Sequence, residues 1–257
     1  MGSGADSARL PPMLAERSRR ALRVQLLIAI WMISGTAFAS GTTDPSDPNH
    51  PSSKTDTVSG STIEPTDASA ANSNAGAAAA ESIIESLDGA LLDIMQRADQ
   101  LGLKGRLETI EPVIRGCFDL PFMARMTVGR AWNELSEEAR RLWVDTFSAY
   151  TIYKLADRFD GFSGQSFEIV GQKPASKGTL IIQTLLKRPS DDDVRLDYRM
   201  RETESSWKVI DIYAKGRISE IALRRAEYTA ILKRGGIELL LELVSAMMNF
   251  GEKQAKG

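Results

Sequence analysis

The sequence predicts an α+β domain in which an antiparallel sheet of about four strands carries helices packed on one face. Three observations predict it. Apolar residues recur every 3.6 positions through residues 81–160, every second position through 166–213, and every 3.6 again to residue 249. The turns joining the period-2 segments, "KPASKG", "RPSDDD" and "ETESS", are short enough for antiparallel neighbours. In the segment 194–201, Val194, Leu196, Tyr198 and Met200 alternate with Arg195, Asp197, Arg199 and Arg201, so one sheet face there is wet.

The chain has 257 residues, 42% hydrophobic and 26% charged, enough for a globular core. Residues 1–39 read as a signal peptide. Arg17, Arg19, Arg20 and Arg23 precede the apolar run Val24–Ile33, and Ala37-Phe38-Ala39 offers small residues for cleavage after Ala39. An apolar run of about ten residues falls short of the ~20 that cross a bilayer. No cysteine follows it to accept a lipoprotein acyl group, so export to a periplasm is the expectation. Residues 40–80, rich in Ser, Thr, Asp, Pro, Asn and Ala, read as a flexible tether, since they offer little apolar surface to offset ordering.

The folded domain is expected over residues 81–257. Ile83, Ile84, Leu87, Leu91, Ile94, Met95 and Ala98 form the stripe of a first helix. "LKGRLETIEPVIRGCF" gives a second. Asp119 and Pro121 start a third through "FMARMTVG", and Ser136 caps a long fourth carrying Leu142, Trp143, Phe147, Tyr150, Leu155 and Phe159. Strands follow at 166–172, 179–187, 194–201 and 207–213; "TLIIQTLL", apolar on both faces, belongs at the centre. Two helices close the chain, 217–234 and 237–249, parted by Gly235-Gly236.

Several functions are excluded or weakened by composition. The one histidine, His50, lies in the tether, so the folded part has no Ser-His-Asp triad, no Cys-His pair and no histidine-bearing zinc site. No cofactor or metal is indicated. The single Cys117 has no intramolecular partner for a disulfide and is expected to be a buried, inert thiol. Loss of residues 1–39 removes five basic and two acidic side chains, leaving 27 against 32 and a net charge of −5. A net-acidic chain without a basic cluster is a poor nucleic-acid binder.

The stretch "WKVIDIYAKGRISEIALRRAEY" holds the sharpest question. Trp207, Val209, Asp211 and Tyr213 alternate onto one strand face, and Arg225 falls in the helical stripe Ile218, Ile221, Ala222, Arg225, Tyr228. Buried charges need partners. Asp211 and Arg225 are expected to pair as an internal strut. Two other readings stay open: Arg225 facing a cavity to meet an anionic head group, and Asp211 acting as a general acid–base.

These residues also carry a resemblance. "SSWKVIDIYAKGRISEIALRRAEYTAILKRGGIELLLELV", with Trp207, Val209, Asp211, Gly216, Ser219, Arg225, Tyr228 and Gly235 or Gly236, resembles the C-terminal signature of the MlaC-type periplasmic phospholipid-binding, or toluene-tolerance, family. Gly129, Trp132, Trp143 and Phe147 match its upstream part. Arg224 stands where the family usually has tyrosine, and "ISEIALRRAEY" is similar to the hopanoid-associated HpnM-like branch. The resemblance implies an apolar cavity between sheet and helices. It implies a non-enzymatic carrier of phospholipid or hopanoid between inner and outer membranes, working with an inner-membrane ABC transporter complex and an outer-membrane lipoprotein complex. Its expected lipid-binding residues are Met126, Leu142, Phe147, Tyr150 and Leu155 from the helices, and Leu180, Ile182, Leu196, Tyr198 and Val209 from the strands. Ile218, Ile221, Arg225 and Tyr228 complete them from the closing helix. The competing expectations are a structural or interaction protein of the envelope, and a small-substrate enzyme using Asp211 or Tyr198.

Overall fold

The computed structural model describes residues 67–255. The signal peptide, its cleavage after Ala39 and tether residues 40–66 lie outside the described residues. The remainder of the expected tether is corrected: helix α1 spans Asp67–Gln96, so residues 67–80 are helical. Alanine is the best helix former, and it is small enough to lie close on a neighbour. Ala77 and Ala80 are buried, and a side chain added at Gly76 would touch the Trp207 indole.

Helix α2 (Ala98–Cys117) doubles back on α1 and is held by Arg106. This buried guanidinium donates to the Ala156 carbonyl at 2.8 Å and the Ala98 carbonyl at 3.3 Å. The short link to α3 (Leu120–Val128) pairs with the sheet: Phe118 bridges Val209, and the Asp119 amide donates to the Val209 carbonyl at 2.9 Å. Asp119 then caps α3 by accepting from the Phe122 amide, while its other oxygen takes the Arg201 guanidinium at 2.8 Å. A 3-10 turn, Gly129–Glu134, leads to α4 (Glu137–Arg158), capped by Ser136 as its sequence predicts.

The sheet is a meander of β1 (Ser166–Ala175), β2 (Thr179–Lys187), β3 (Val194–Glu202), β4 (Trp207–Ala214) and the two-residue β5 (Ile218–Ser219), every pair antiparallel. β5 is the one strand not expected from sequence. Helix α5 (Glu220–Ala255) breaks at Gly235 and Gly236, the latter at φ 67°. Among the described residues no helix is long and apolar enough to cross a membrane. Trp143 is fully buried at the centre of the helical layer. Its indole donates to the Ala124 carbonyl at 3.0 Å and meets the Tyr228 ring edge-on at 5.3 Å. Cys117 is buried and burial raises its pKa.

The β4 strand carries a bulge that sequence alternation conceals. Arg199 pairs with Asp211 but Met200 pairs with Val209, so Ile210 is the extra residue. Val209 faces inward, and beyond the bulge Ile212 and Ala214 face inward in its place, while Asp211 joins Arg199 on the opposite face. The expected Asp211–Arg225 pair is therefore corrected. Asp211 accepts from Ser219 Oγ at 2.6 Å, the Ile212 amide at 2.8 Å and the Ile221 amide at 3.1 Å, stitching β4 to the start of α5. Arg225 instead donates to the Met126 carbonyl at 2.7 Å, packing beside Gly129 and tying α5 to α3. The hairpin before α5 requires glycine at Gly216: φ is 67°, and a Cβ there would sit 2.8 Å from Arg195 Nε.

Asp211→Ala removes three accepted hydrogen bonds, one of them from the first turn of α5, and should cost about 2–4 kcal/mol in urea unfolding, with Asp211→Asn costing less. Because Asp211 and Arg225 share no contact, the double variant Asp211→Asn/Arg225→Met should be additive within about 0.5 kcal/mol. A larger coupling in the unfolding cycle would restore the direct pair.

Candidate functional site

Two adjoining hollows lie beneath the helical layer. The first, about 80 Å³, is walled by Leu87, Leu91 and Met95 of α1, Leu155 of α4, Phe159, Leu186 of β2, Val194, Leu196 and Tyr198 of β3, and Ile212 and Ala214 of β4. The second, about 30 Å³, lies between α3, α4 and α5 against Met123, Phe147, Tyr150, Thr151 and Ile221. Phe118, Lys154, Leu155 and Ile212 line both. A water needs about 10–15 Å³ of such space, so the first hollow has room for roughly six water-sized groups. Its wall is apolar apart from Gln165 and four cations, Lys154, Arg158, Arg188 and Lys215; no carboxylate is in it.

Local structure explains why these side chains converge. The α1 stripe turns Leu87, Leu91 and Met95 to one side because they fall at i, i+4 and i+8. Phe118 is fixed by its bridge to β4. The bulge at Ile210 brings Ile212 and Ala214 onto the same face as Tyr198, the ladder partner of Ile212.

The charged groups at the second hollow form a cluster. Glu220, 7% exposed, has its pKa pushed up to about 7 by burial, against the pull of Arg224 at 2.7 Å. Arg224 also meets Glu227 at 2.9 Å and lies over the Tyr150 ring. Burial lowers Arg158 to about 10 and lowers the Lys154 ammonium as well. Behind the first hollow, Asp88 is 5% exposed and burial, reinforced by Glu85, lifts its pKa to about 8. Its Oδ1 meets no hydrogen-bond partner among the described residues. Burial also drives the Tyr198 phenol well above its usual value.

Of the residues expected from sequence, Phe147, Tyr150, Leu155, Leu196, Tyr198 and Ile221 lie on the hollows. The others do not. Leu142 and Ile218 are exposed at 46% and 39%. Ile182 and Val209 are wholly buried in packed core, and Leu180 packs against its edge. Met126 receives Arg225 through its carbonyl, and Tyr228 meets Trp143 edge-to-face. Arg225 thus reaches neither hollow; its neighbour Arg224 does. Asp211 is also absent from both, its carboxylate already engaged by three donors. Among the described residues no group of acidic, cysteine or histidine side chains is placed to hold a metal. Sequence reading missed Leu87, Leu91, Met95, Phe118, Ile212, Ala214 and the cations. The α1 stripe was visible as an apolar face, whereas the bulge left no mark.

Comparison with known proteins is consistent with this geometry. The family model described as MlaC protein matches residues 85–246. Among curated proteins none matches. A solved structure from Ralstonia solanacearum, a phospholipid-binding protein in complex with a phospholipid, shares the fold with a TM-score of 0.60 at 18% identity, covering 68% of this chain and 98% of that one.

The buried Asp88 makes a pH prediction. Its folded-state pKa is raised, so between about pH 4 and pH 8 the folded chain keeps a proton that the unfolded chain releases. The stability linked to this group is full below about pH 4 and is lost as pH rises through about 8. Asp88→Asn should therefore be more stable than the parent at pH 9, by on the order of a few kcal/mol, and should differ less at pH 5. Urea midpoints at the two pH values measure it; an unchanged gap would show that the carboxyl is not held neutral.

Proposed function

The chain belongs to the MlaC protein family, and we propose from that premise that it is a non-enzymatic periplasmic lipid carrier. It is exported by the signal peptide of residues 1–39, cleaved after Ala39. It shelters the hydrocarbon part of a phospholipid or a hopanoid between helices and sheet, and it exchanges that lipid with an inner-membrane ABC transporter complex and an outer-membrane lipoprotein complex. The observation that carries the reading is the pair of adjoining apolar hollows that share Phe118, Leu155 and Ile212 as walls. The phospholipid-bound neighbour of the same fold supports it.

The physical need is plain. Each methylene left in water costs about 0.8 kcal/mol, so two chains of about 14 methylenes would cost roughly 20 kcal/mol bare. A mobile apolar shelter removes that barrier to crossing an aqueous space. The hollow as it stands accommodates only a short run of methylenes, so taking up a long chain requires the helical layer to move outward from the sheet. Methyl-rich and aromatic walls suit that task because their contacts are non-directional.

Native mass spectrometry of protein purified from cells tests the reading. A co-purifying lipid mass that leaves only on denaturation is the expected result. Ala214→Phe, which puts a ring into the first hollow, should reduce the lipid-bound fraction roughly tenfold or more while keeping the far-ultraviolet circular dichroism of the parent. A protein that never carries lipid, whether from cells or after incubation with dioleoyl lipids, would favour the structural envelope role instead.

A further inference from the structure

The cations around the hollows differ in how the fold has settled them. Arg224 is clamped between Glu220 and Glu227. Arg188 donates to the Asp192 carbonyl at 2.7 Å and lies 3.9 Å from Asp191. Arg158 feels the attraction of Glu220 and Asp157. Lys215 is exposed, so water solvates it. Lys154 feels the same two carboxylates but differs from the other four in its position. It projects from α4 to the junction of the two hollows, lining both, with Leu155 beside it.

Among the described residues no hydrogen bond or ion pair holds the Lys154 ammonium. Asp157 and Glu220 attract it only at longer range, and Arg158 and Arg224 oppose them. Burial lowers its pKa, so the charged form is incompletely solvated. No carboxylate lines the first hollow, and Glu220, the one carboxylate on the second, is paired with Arg224. A partly desolvated cation beside an apolar space is complemented by one kind of ligand: an oxyanion attached to a hydrocarbon tail.

We infer that Lys154 is an anion anchor inside the carrier, binding the charged oxygen of a lipid head group where the two hollows meet and selecting anionic lipids over uncharged ones of equal chain length. The inference rests on the carrier reading and narrows it. An uncharged hopanoid would leave the ammonium without a partner, whereas a phosphodiester or a carboxylate supplies one. The tail then follows the apolar wall of Leu155, Leu196 and Ile212.

Displacement of a fluorescent fatty-acyl probe tests it, with four competitors: dioleoylphosphatidylglycerol, oleate, dioleoylglycerol and inorganic phosphate. The parent protein should bind phosphatidylglycerol about ten- to a hundredfold more tightly than dioleoylglycerol. Lys154→Met, which keeps the length and removes the charge, should abolish that preference without weakening dioleoylglycerol. Lys154→Arg should retain it, and serves if the methionine variant fails to fold. Oleate matching phosphatidylglycerol would assign the site to any tailed oxyanion; oleate weaker by the same factor as dioleoylglycerol would assign it to phosphodiesters. Displacement by millimolar inorganic phosphate alone would overturn the inference by showing a site that needs no tail. Equal affinity for charged and uncharged lipids, or a preference that survives Lys154→Met, would overturn it while leaving the carrier intact. Failure to bind any of the three tailed competitors would remove the carrier reading itself.

Discussion

The arrangement of the domain turns on one carboxylate and the extra residue beside it. With Ile210 inserted into β4, the strand changes face between Val209 and Ile212, and Asp211 leaves the apolar side. Its oxygens then gather Ser219 Oγ and the Ile212 and Ile221 amides, which fixes where α5 begins and in what rotation. That rotation sends Glu220, Ile221 and Arg224 toward the second hollow and leaves Arg225 to reach the Met126 carbonyl on α3. Without the bulge, strict alternation would aim a carboxylate into a hydrocarbon wall, where its desolvation would cost several kcal/mol. One inserted residue therefore separates the polar corner that builds the fold from the apolar wall that can receive a ligand.

A hollow is a debt against stability, and the domain meets it by division of labour. Leaving about 80 Å³ unfilled costs about 2 kcal/mol relative to a packed interior. Away from the hollows the core is closed: Ile84, Ile94, Ile110, Ile114, Trp143, Met200 and Leu240 are essentially inaccessible and line neither hollow. Side chains also donate to main-chain carbonyls across elements, from Arg106 to Ala156, from Trp143 to Ala124 and from Arg225 to Met126. Such bonds orient helices without depending on close packing over the hollow. The sheet needs no such help, since backbone ladders tie each strand to the next.

Sequence reading reached the fold more easily than the site, for a reason visible residue by residue. Periodicity tells which way a side chain faces, so the helix and strand segments and the Ser136 and Asp119 caps were legible. It does not tell what lies opposite. Ile182 and Leu196 both face inward on neighbouring strands, yet Ile182 meets protein and Leu196 meets the hollow. A bulge is a change of register that two adjacent apolar residues, Val209 and Ile210, disguise completely. The alanine run of residues 75–80 looked like tether because it lacks bulk, when lack of bulk is what lets α1 lie against Trp207. Arg225 was singled out because it interrupts an apolar stripe, but an interruption marks burial of some kind and not contact with a ligand.

The buried ionisable groups show how such a fold divides structural from functional charge. Asp88 is relieved by holding its proton, Glu220 by Arg224 together with a raised pKa, and Asp211 by three donors. Each solution is internal, so each group is spent on the protein and has nothing left for a ligand. A partner-seeking charge must be one that the fold leaves short of solvation yet accessible from the hollow, which are competing demands, since access usually brings water. Lys154 meets both because it lines the two hollows while its neighbours of opposite sign do not hold it: Asp157 and Glu220 act only at longer range, and Glu220 is engaged by Arg224. A carrier must also release its cargo, and a single lysine suits that better than a guanidinium cluster: its contact with an oxyanion is a point charge without the bidentate geometry of arginine.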